Sequence, residues 1–187
     1  MLYDLPEVHS RVWISGFSNR PDVDAVLKTM QERFPAIAVQ LADLDCIPGS
    51  RYARLAALNA IKSFHSRQPI ARSLGMELLL HLAGTSQIGE AIERVGISGN
   101  TERIAAVMIG IREQDLEAAA DFLSQLVGSI SDDDLVDDWS RERLRKVQAT
   151  FDIGPRELRA TLRADETRAK ALERLAIERS AMLTIRR

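Results

Sequence analysis

The sequence predicts an α/β (α+β) protein, a single domain in which helices pack on a small mixed, largely antiparallel sheet. Three observations support this class. Three short segments have strand character, amphipathic segments of helical period separate them, and only helical patterns follow the last strand. We assign the core of strands and helices to residues 1–128 and a helical C-terminal part to residues 129–187.

Strand and helix patterns alternate in the first part of the chain. Residues 8–17 alternate apolar and polar side chains, which is typical of a strand. A helix is predicted from Pro21 to about residue 34, a second strand over 36–44, and a further helix over 50–66. The elements therefore stay short and change type repeatedly.

Pro69 ends that helix, and two more helices are predicted before the last strand. One runs from about residue 71 to Gly84 and is apolar almost all round, and the next begins at Thr85 or Ser86 and ends at Gly96. The short apolar run 103–110 is bounded by glycines, which favours a buried strand. An amphipathic helix over 112–127 follows it.

Three helices are predicted in the C-terminal part. The acidic run 131–138 precedes several cations, so we interpret it as the start of a helix that continues to about residue 151. A divalent-cation site at Asp132, Asp133 and Asp134 is the alternative, although it needs further oxygen ligands. Helices from Pro155 and from about residue 166 complete the chain.

Composition indicates a soluble, cytoplasmic protein. The chain is 45% hydrophobic and 28% charged, with a formal net charge of −2. Its single cysteine, Cys46, excludes an intramolecular disulfide. No apolar run approaches the ~18 residues that a membrane span requires, and the first residues do not resemble a signal peptide. We therefore expect no membrane association.

The charge is unevenly distributed. Residues 1–140 contain 12 Lys and Arg against 20 Asp and Glu, a net of −8, and residues 141–187 contain 13 against 7, a net of +6. Against this trend, no acidic residue lies between Asp45 and Glu77. The cations of this acid-free segment are Arg51, Arg54, Lys62, Arg67 and Arg72.

The predicted helix over 50–66 gives these cations a common face. At about 100° per residue, one quarter of its circumference collects Arg51, Arg54, Leu58, Lys62 and His65. The opposite face is mostly alanine, which allows close packing on a core. We interpret the cationic face as a surface for an anionic ligand, with an ordinary solvated helix face as the alternative.

The sequence offers little catalytic chemistry, so we expect neither an enzyme nor a bound cofactor or metal. The histidines His9, His65 and His81 are far apart and do not have metal-ligand spacing. The segment 84–89 resembles a serine nucleophile motif, but Ile88 stands where that motif requires glycine. Glycine-rich phosphate loops are missing.

A helix-turn-helix DNA-binding regulator is the alternative function. In this interpretation residues 85–108 form a helix, a turn at Gly96 and a recognition helix. The second segment offers only Arg103 to base edges, and its apolar run favours a core strand instead.

The segment KSFHSRQPIARSLGMELLLHLAGTSQIGEAIERVGI resembles the signature of the PRPK-binding (TPRKB-like) regulatory subunit of the KEOPS complex, also called EKC. The matching positions are Ser73, Glu77, Leu79, Leu82, Gly84, Gln87, Ile88, Ala91, Ile92, Gly96 and Ile97. The terminal LERLAIERSAML is similar to the family's ending, with Met182 where leucine is usual. The resemblance is strongest over residues 55–110.

This resemblance implies a non-catalytic subunit of the machinery that makes threonylcarbamoyl-adenosine in tRNA. Such subunits bind the small PRPK-like kinase/ATPase subunit, and archaeal members also recruit tRNA through its single-stranded CCA tail. Recruitment of tRNA agrees with a cationic helix face.

We accordingly predict two sites. The predicted tRNA-binding residues are Lys62, His65, Arg67 and Arg72, with Arg51 and Arg54 on the same side and Gln87 at a helix N-terminus. A base would enter an apolar recess lined by Leu58, Leu74 or Met76. The kinase contact is predicted on the C-terminal helix, at Leu172, Leu175, Ile177 and Leu183.

Overall fold

A computed structural model describes residues 1–66 and 69–185, with side chains described up to residue 181. Within these ranges four strands form one sheet of order β1-β2-β4-β3. The strands are β1 (Leu2–Leu5), β2 (Ser10–Phe17), β3 (Ala38–Asp43) and β4 (Ile104–Gly110). The α+β class is confirmed, and the sheet is wholly antiparallel.

Helices cover both faces of this sheet. In the described residues they are α1 (Val23–Arg33), α2 (Ser50–Phe64), α3 (Leu74–Ala83), α4 (Ile88–Val95), α5 (Glu113–Val127), α6 (Arg141–Thr150), α7 (Pro155–Thr161) and α8 (Arg168–Ile185). Alternate residues of β4 point to opposite faces, as the period of a strand requires. Ile104, Ala106 and Met108 pack with α1 and α5, and the intervening residues pack in the larger core with the other helices.

Strand β1 has no counterpart among the predicted elements. It pairs with β2, with Leu2 opposite Trp13 and Leu5 opposite Ser10. The amino group of Met1 donates to the carbonyl of Ile14 at 2.8 Å, which extends the pairing. The four residues of β1 are too few to show a pattern of their own.

Strand β4 excludes the helix-turn-helix alternative. The proposed recognition helix would occupy residues 100–108, but this segment leads into a strand that lies between β2 and β3 in the sheet. All seven residues of β4 are buried. The apolar run therefore forms the centre of the core and has no surface that faces a DNA groove.

The prediction for the acidic run 131–138 is wrong. The run forms a short 3₁₀ turn, and α6 begins only at Arg141, with the Ser140 hydroxyl accepting from the Arg143 amide at 3.0 Å. Asp132 exchanges two backbone hydrogen bonds with Gly16 at 2.9 and 3.0 Å. Asp137 accepts from the amide and hydroxyl of Ser50 at 2.9 and 2.7 Å. These residues cap and extend other elements instead of starting a helix.

Arg143 is fully buried and connects this acidic segment to the core. Its guanidinium donates to the carbonyl of Ile47 at 2.9 Å and lies 4.9 Å from the centre of the Trp139 ring. It also donates to the carbonyls of Leu135, Val136 and Asp138, at 3.0, 2.6 and 2.6 Å. Burial lowers the pKa of Arg143 to about 10, so the side chain stays charged at neutral pH.

Among the described residues, none of the helices combines the length and the apolar composition that crossing a membrane requires.

We predict that Arg143→Met lowers the free energy of unfolding by roughly 3–5 kcal/mol, because two buried and two partly buried backbone hydrogen bonds lose their charged donor. Urea denaturation of the purified chain measures the change. Arg145→Met is the control, since Arg145 is exposed on the same helix and its loss is expected to cost under about 0.5 kcal/mol. Equal stability of the two variants would contradict this role of Arg143.

Candidate functional site

The alanine face of α2 packs on the core, as the sequence predicts, and its cations face outward. Arg51, Arg54, Lys62 and His65 are exposed. The buried residues of the opposite face are Tyr52, Ala53, Ala56, Ala57, Ala60 and Ile61. A helix rises about 1.5 Å per residue, so the cations extend over roughly 16 Å of its length.

The first turn of α2 is the less available end of this face. Gly49 has a φ of 105°, and this backbone lets Asp137 and Glu173 approach the start of the helix. Glu173 accepts from the Tyr52 amide at 3.3 Å, and the pKa of its carboxyl is raised by burial and lowered in part by nearby Arg51. The protein's own carboxylates therefore already occupy the positive end of the helix dipole.

Among the described residues, the far end of α2 has no such neighbouring carboxylate. No carboxylate of the described residues lies within 4.0 Å of the side-chain nitrogens of Lys62, His65 or Arg72, all of which are exposed. Arg54 lacks an ion pair by the same criterion, although its guanidinium lies 5.7 Å from the centre of the Tyr3 ring. Arg67 lies outside the described residues. The geometry thus favours the Lys62 end of the face for an anion.

Glu77, the carboxylate that ends the acid-free segment, is buried and turns inward. It accepts from the Ala71 amide at 2.8 Å and from the Ser63 hydroxyl. His81 lies one turn further along α3, with its Nε2 3.8 Å from the carboxylate. Because it contacts both α2 and the segment before α3, Glu77 fixes the position of Arg72 relative to Lys62.

A cavity of about 470 Å³ opens beside these cations. Its lining includes three predicted residues, His65, Leu74 and Met76, whereas Leu58 lies outside it. Gly75 brings the start of α3 against the edge strand β3, where an added Cβ would approach the Val39 carbonyl to 3.0 Å. The remaining walls are formed mainly by α1, the segment between α1 and β3, β3 itself and the end of β4.

The N-terminus of α4 is less suited to a phosphate than predicted. Gln87 is exposed, but its amide donates to the Thr85 hydroxyl at 3.3 Å. That hydroxyl donates to Glu90 at 2.5 Å, and Glu90 also pairs with Arg94 at 2.5 Å. An acidic side chain therefore already satisfies part of the helix dipole.

Most of the predicted kinase-facing stripe on α8 is not at the surface. Leu172 and Leu175 are 0% and 4% exposed and belong to the core, and Ile177 is half-buried against it. The side chain of Leu183 lies outside the described residues. A helix that docks on the body buries its main apolar stripe, so Leu172 and Leu175 are correctly explained as core residues.

Sequence reasoning missed an apolar surface on α4. Ile88 and Ile92 are 42% and 53% exposed, while Ala91 and Val95 are buried on the adjacent part of the same helix. These four residues span about 100° of the circumference, which is a wider stripe than the core covers. The width of this apolar stripe was the feature of the sequence that could have indicated the exposed surface on α4.

The sequence profile of the family described as kinase binding protein CGI-121 matches residues 17–184. The chain belongs to this family. No curated protein matches it. The match confirms the TPRKB-like resemblance, and the family's description assigns binding to a kinase.

No group of three or more His, Cys, Asp or Glu residues in the described part of the chain is placed to hold a metal ion. Burial, and to a lesser extent the nearby Asp43 carboxylate, raises the pKa of the Cys46 thiol to about 11, so this thiol is protonated at neutral pH.

We predict that Glu77→Ala speeds hydrogen exchange of the Ala71 amide and lowers the free energy of unfolding by roughly 2–4 kcal/mol, because this buried amide loses its acceptor. Exchange measured by mass spectrometry or NMR tests the first effect. Glu77→Gln retains an acceptor and should have a smaller effect, and Glu93→Ala, at an exposed position of α4, is the control. Unchanged exchange at Ala71 would show that Glu77 does not order this segment.

Proposed function

We propose that the chain is a non-catalytic subunit of the KEOPS complex, which acts in the cytoplasm, binds the small kinase/ATPase subunit and recruits tRNA through its single-stranded CCA tail. Kinase binding is the family's described property. The observation that supports tRNA recruitment is the pair of exposed cations Lys62 and Arg72 with the exposed His65. These three side chains lack carboxylate partners among the described residues and lie beside a cavity with apolar lining residues.

This arrangement suits a flexible RNA end better than a duplex. Single-stranded RNA is bound by cations along its phosphates and by recesses for splayed bases. Lys62 and Arg72 supply the charge, and the His65 ring stands where the cationic face meets the cavity. Leu74 and Met76 supply apolar surface for one base. Arg51 and Arg54 then act at longer range, as steering charges.

The kinase partner is proposed to contact α4 at Ile88 and Ile92. Exposed branched apolar side chains one helical turn apart form the kind of small apolar centre that protein interfaces bury. These exposed residues therefore take the place of the buried α8 stripe as the proposed kinase contact. The two ligands then use different elements, since tRNA contacts α2 and the start of α3.

We predict that Lys62→Glu/Arg72→Glu weakens tRNA binding at least about tenfold at low salt, because two phosphate contacts become repulsive. Fluorescence anisotropy with labelled tRNA measures the affinity, and the wild-type affinity should fall steeply as salt rises. Removal of the CCA tail should reproduce the loss in the wild-type chain.

Arg156→Glu/Lys170→Glu is the matched control for this experiment. It changes the net charge by the same amount at exposed positions of α7 and α8 that do not line the cavity beside Lys62. If both double variants weaken binding equally, the effect is one of total charge and the α2 site is wrong.

We predict that Ile92→Glu abolishes co-purification with the small kinase subunit, because a charge is placed at the centre of the proposed contact. Ile130→Glu is the control, since Ile130 is 87% exposed at a position remote from α4 in sequence. Pull-down of the co-expressed kinase provides the measurement. Retention of the kinase by Ile92→Glu would move the contact to another surface.

A further inference from the structure

A second cavity, of about 480 Å³, lies in the C-terminal part of the chain. Helices α6, α7 and the start of α8 enclose it. Its apolar floor includes Leu158, which is 7% exposed, and Leu162, which is 39% exposed. We call this cavity the arginine groove, because its charged lining residues are Arg141, Arg145, Arg159 and Arg168.

These four arginines are exposed, and none has a carboxylate within 4.0 Å in the described part of the chain. Neighbouring arginines differ in this respect. Arg174 pairs with Glu166 at 2.9 Å, and Arg179 pairs with Glu157 at 2.7 Å. Since Glu157 of α7 and Glu166, between α7 and α8, already pair with other arginines, the positive charge around the groove is left for an external ligand.

The lining indicates the chemistry of that ligand. Arginine presents a planar fork of donors that matches a carboxylate in two-point contact. The leucine floor requires an apolar surface as well, which a sugar-phosphate backbone does not offer. Splayed bases stack on aromatic rings, including that of histidine, and His65 supplies such a ring at the first cavity. The arginine groove has no aromatic or histidine lining residue in the described part of the chain. An acidic segment with one apolar face satisfies both requirements.

We propose that the arginine groove binds an acidic amphipathic helix of a protein partner. Leucine-like side chains of the partner fill the floor at Leu158 and Leu162, and its Asp and Glu side chains pair with the four arginines. This is the helix-in-groove mode, in which apolar anchors on one helix face enter a groove and charges align at its rim. The groove shares no residue with the proposed contacts on α2, the start of α3 and α4, so the inference is independent of them.

The test uses a fluorescein-labelled synthetic helix of about 20 residues, with leucines on one face and glutamates beside them. We expect saturable binding to the full chain by fluorescence anisotropy. Arg145→Glu/Arg159→Glu should weaken it at least about tenfold, because two charge-assisted pairs become repulsive. Circular dichroism and thermal unfolding establish that the variant is folded.

Arg156→Glu is the matched control, because Arg156 is exposed on α7 but does not line the groove. It should change the affinity by less than about threefold. Changes in the peptide test the same contact with the protein unaltered: replacing its leucines with alanine, or its glutamates with glutamine, should each weaken binding. Equal binding of the glutamine peptide, or equal effects of Arg156→Glu and the groove variant, would overturn the proposal.

A single-stranded RNA oligonucleotide distinguishes the other class of ligand. The proposal expects that Arg145→Glu/Arg159→Glu leaves RNA affinity within about threefold of wild type while peptide binding is lost. If the groove variant loses RNA and the acidic peptide never binds, the groove is a nucleic-acid surface and the proposal is wrong.

Discussion

The buried guanidinium of Arg143 is the contact on which the position of the C-terminal part depends. A charged side chain with no exposed surface is stabilised by hydrogen bonds from its donors. Here Nη1 and Nη2 of Arg143 donate to four backbone carbonyls, while its buried Nε has no partner among the described residues. One carbonyl belongs to Ile47, just before α2, and three belong to the turn before α6. The contact therefore connects the segment before α2 with the segment before α6. Because hydrogen bonds are directional, it fixes the relative position of these segments more closely than burial alone would.

The acidic residues around Arg143 complete this connection. Asp137 caps α2. Asp138 pairs with Arg103 at 3.1 Å, and Arg103 also contacts Asp45 at 2.5 Å. Lys146 lies 3.6 Å from Asp45. Asp137 and Asp138, just before α6, thus take part in the contacts that hold α6 against the start of α2. Because α2 is fixed at its first turn, its alanine face stays on the core and its cations stay in solvent.

Periodicity was enough to predict the parts of the fold that depend on local pattern. The buried strand β4 and the alanine-backed helix α2 follow from spacing and glycine boundaries alone, and the exposure of Lys62 and Arg72 follows from α2 and the loop after it. The predictions that were wrong concerned residues whose contacts lie far away in the sequence. Nothing local distinguishes an aspartate that starts its own helix from one that caps a helix 87 residues away, as Asp137 does. The apolar residues of α8 are spread around much of its circumference, so the sequence did not show which of them are buried and which are exposed.

The placement of Glu77 explains how an ordered cationic surface is compatible with an acid-free segment. Several unpaired cations on one helix and the following loop repel one another, and a nearby surface carboxylate would relieve that repulsion but also reduce the attraction for an anion. Glu77 is instead buried, where it contacts the Ala71 amide and the Ser63 hydroxyl. These buried hydrogen bonds order the segment from within. A carboxylate in this position stabilises the shape of a cationic site and leaves its outer surface free to bind phosphate.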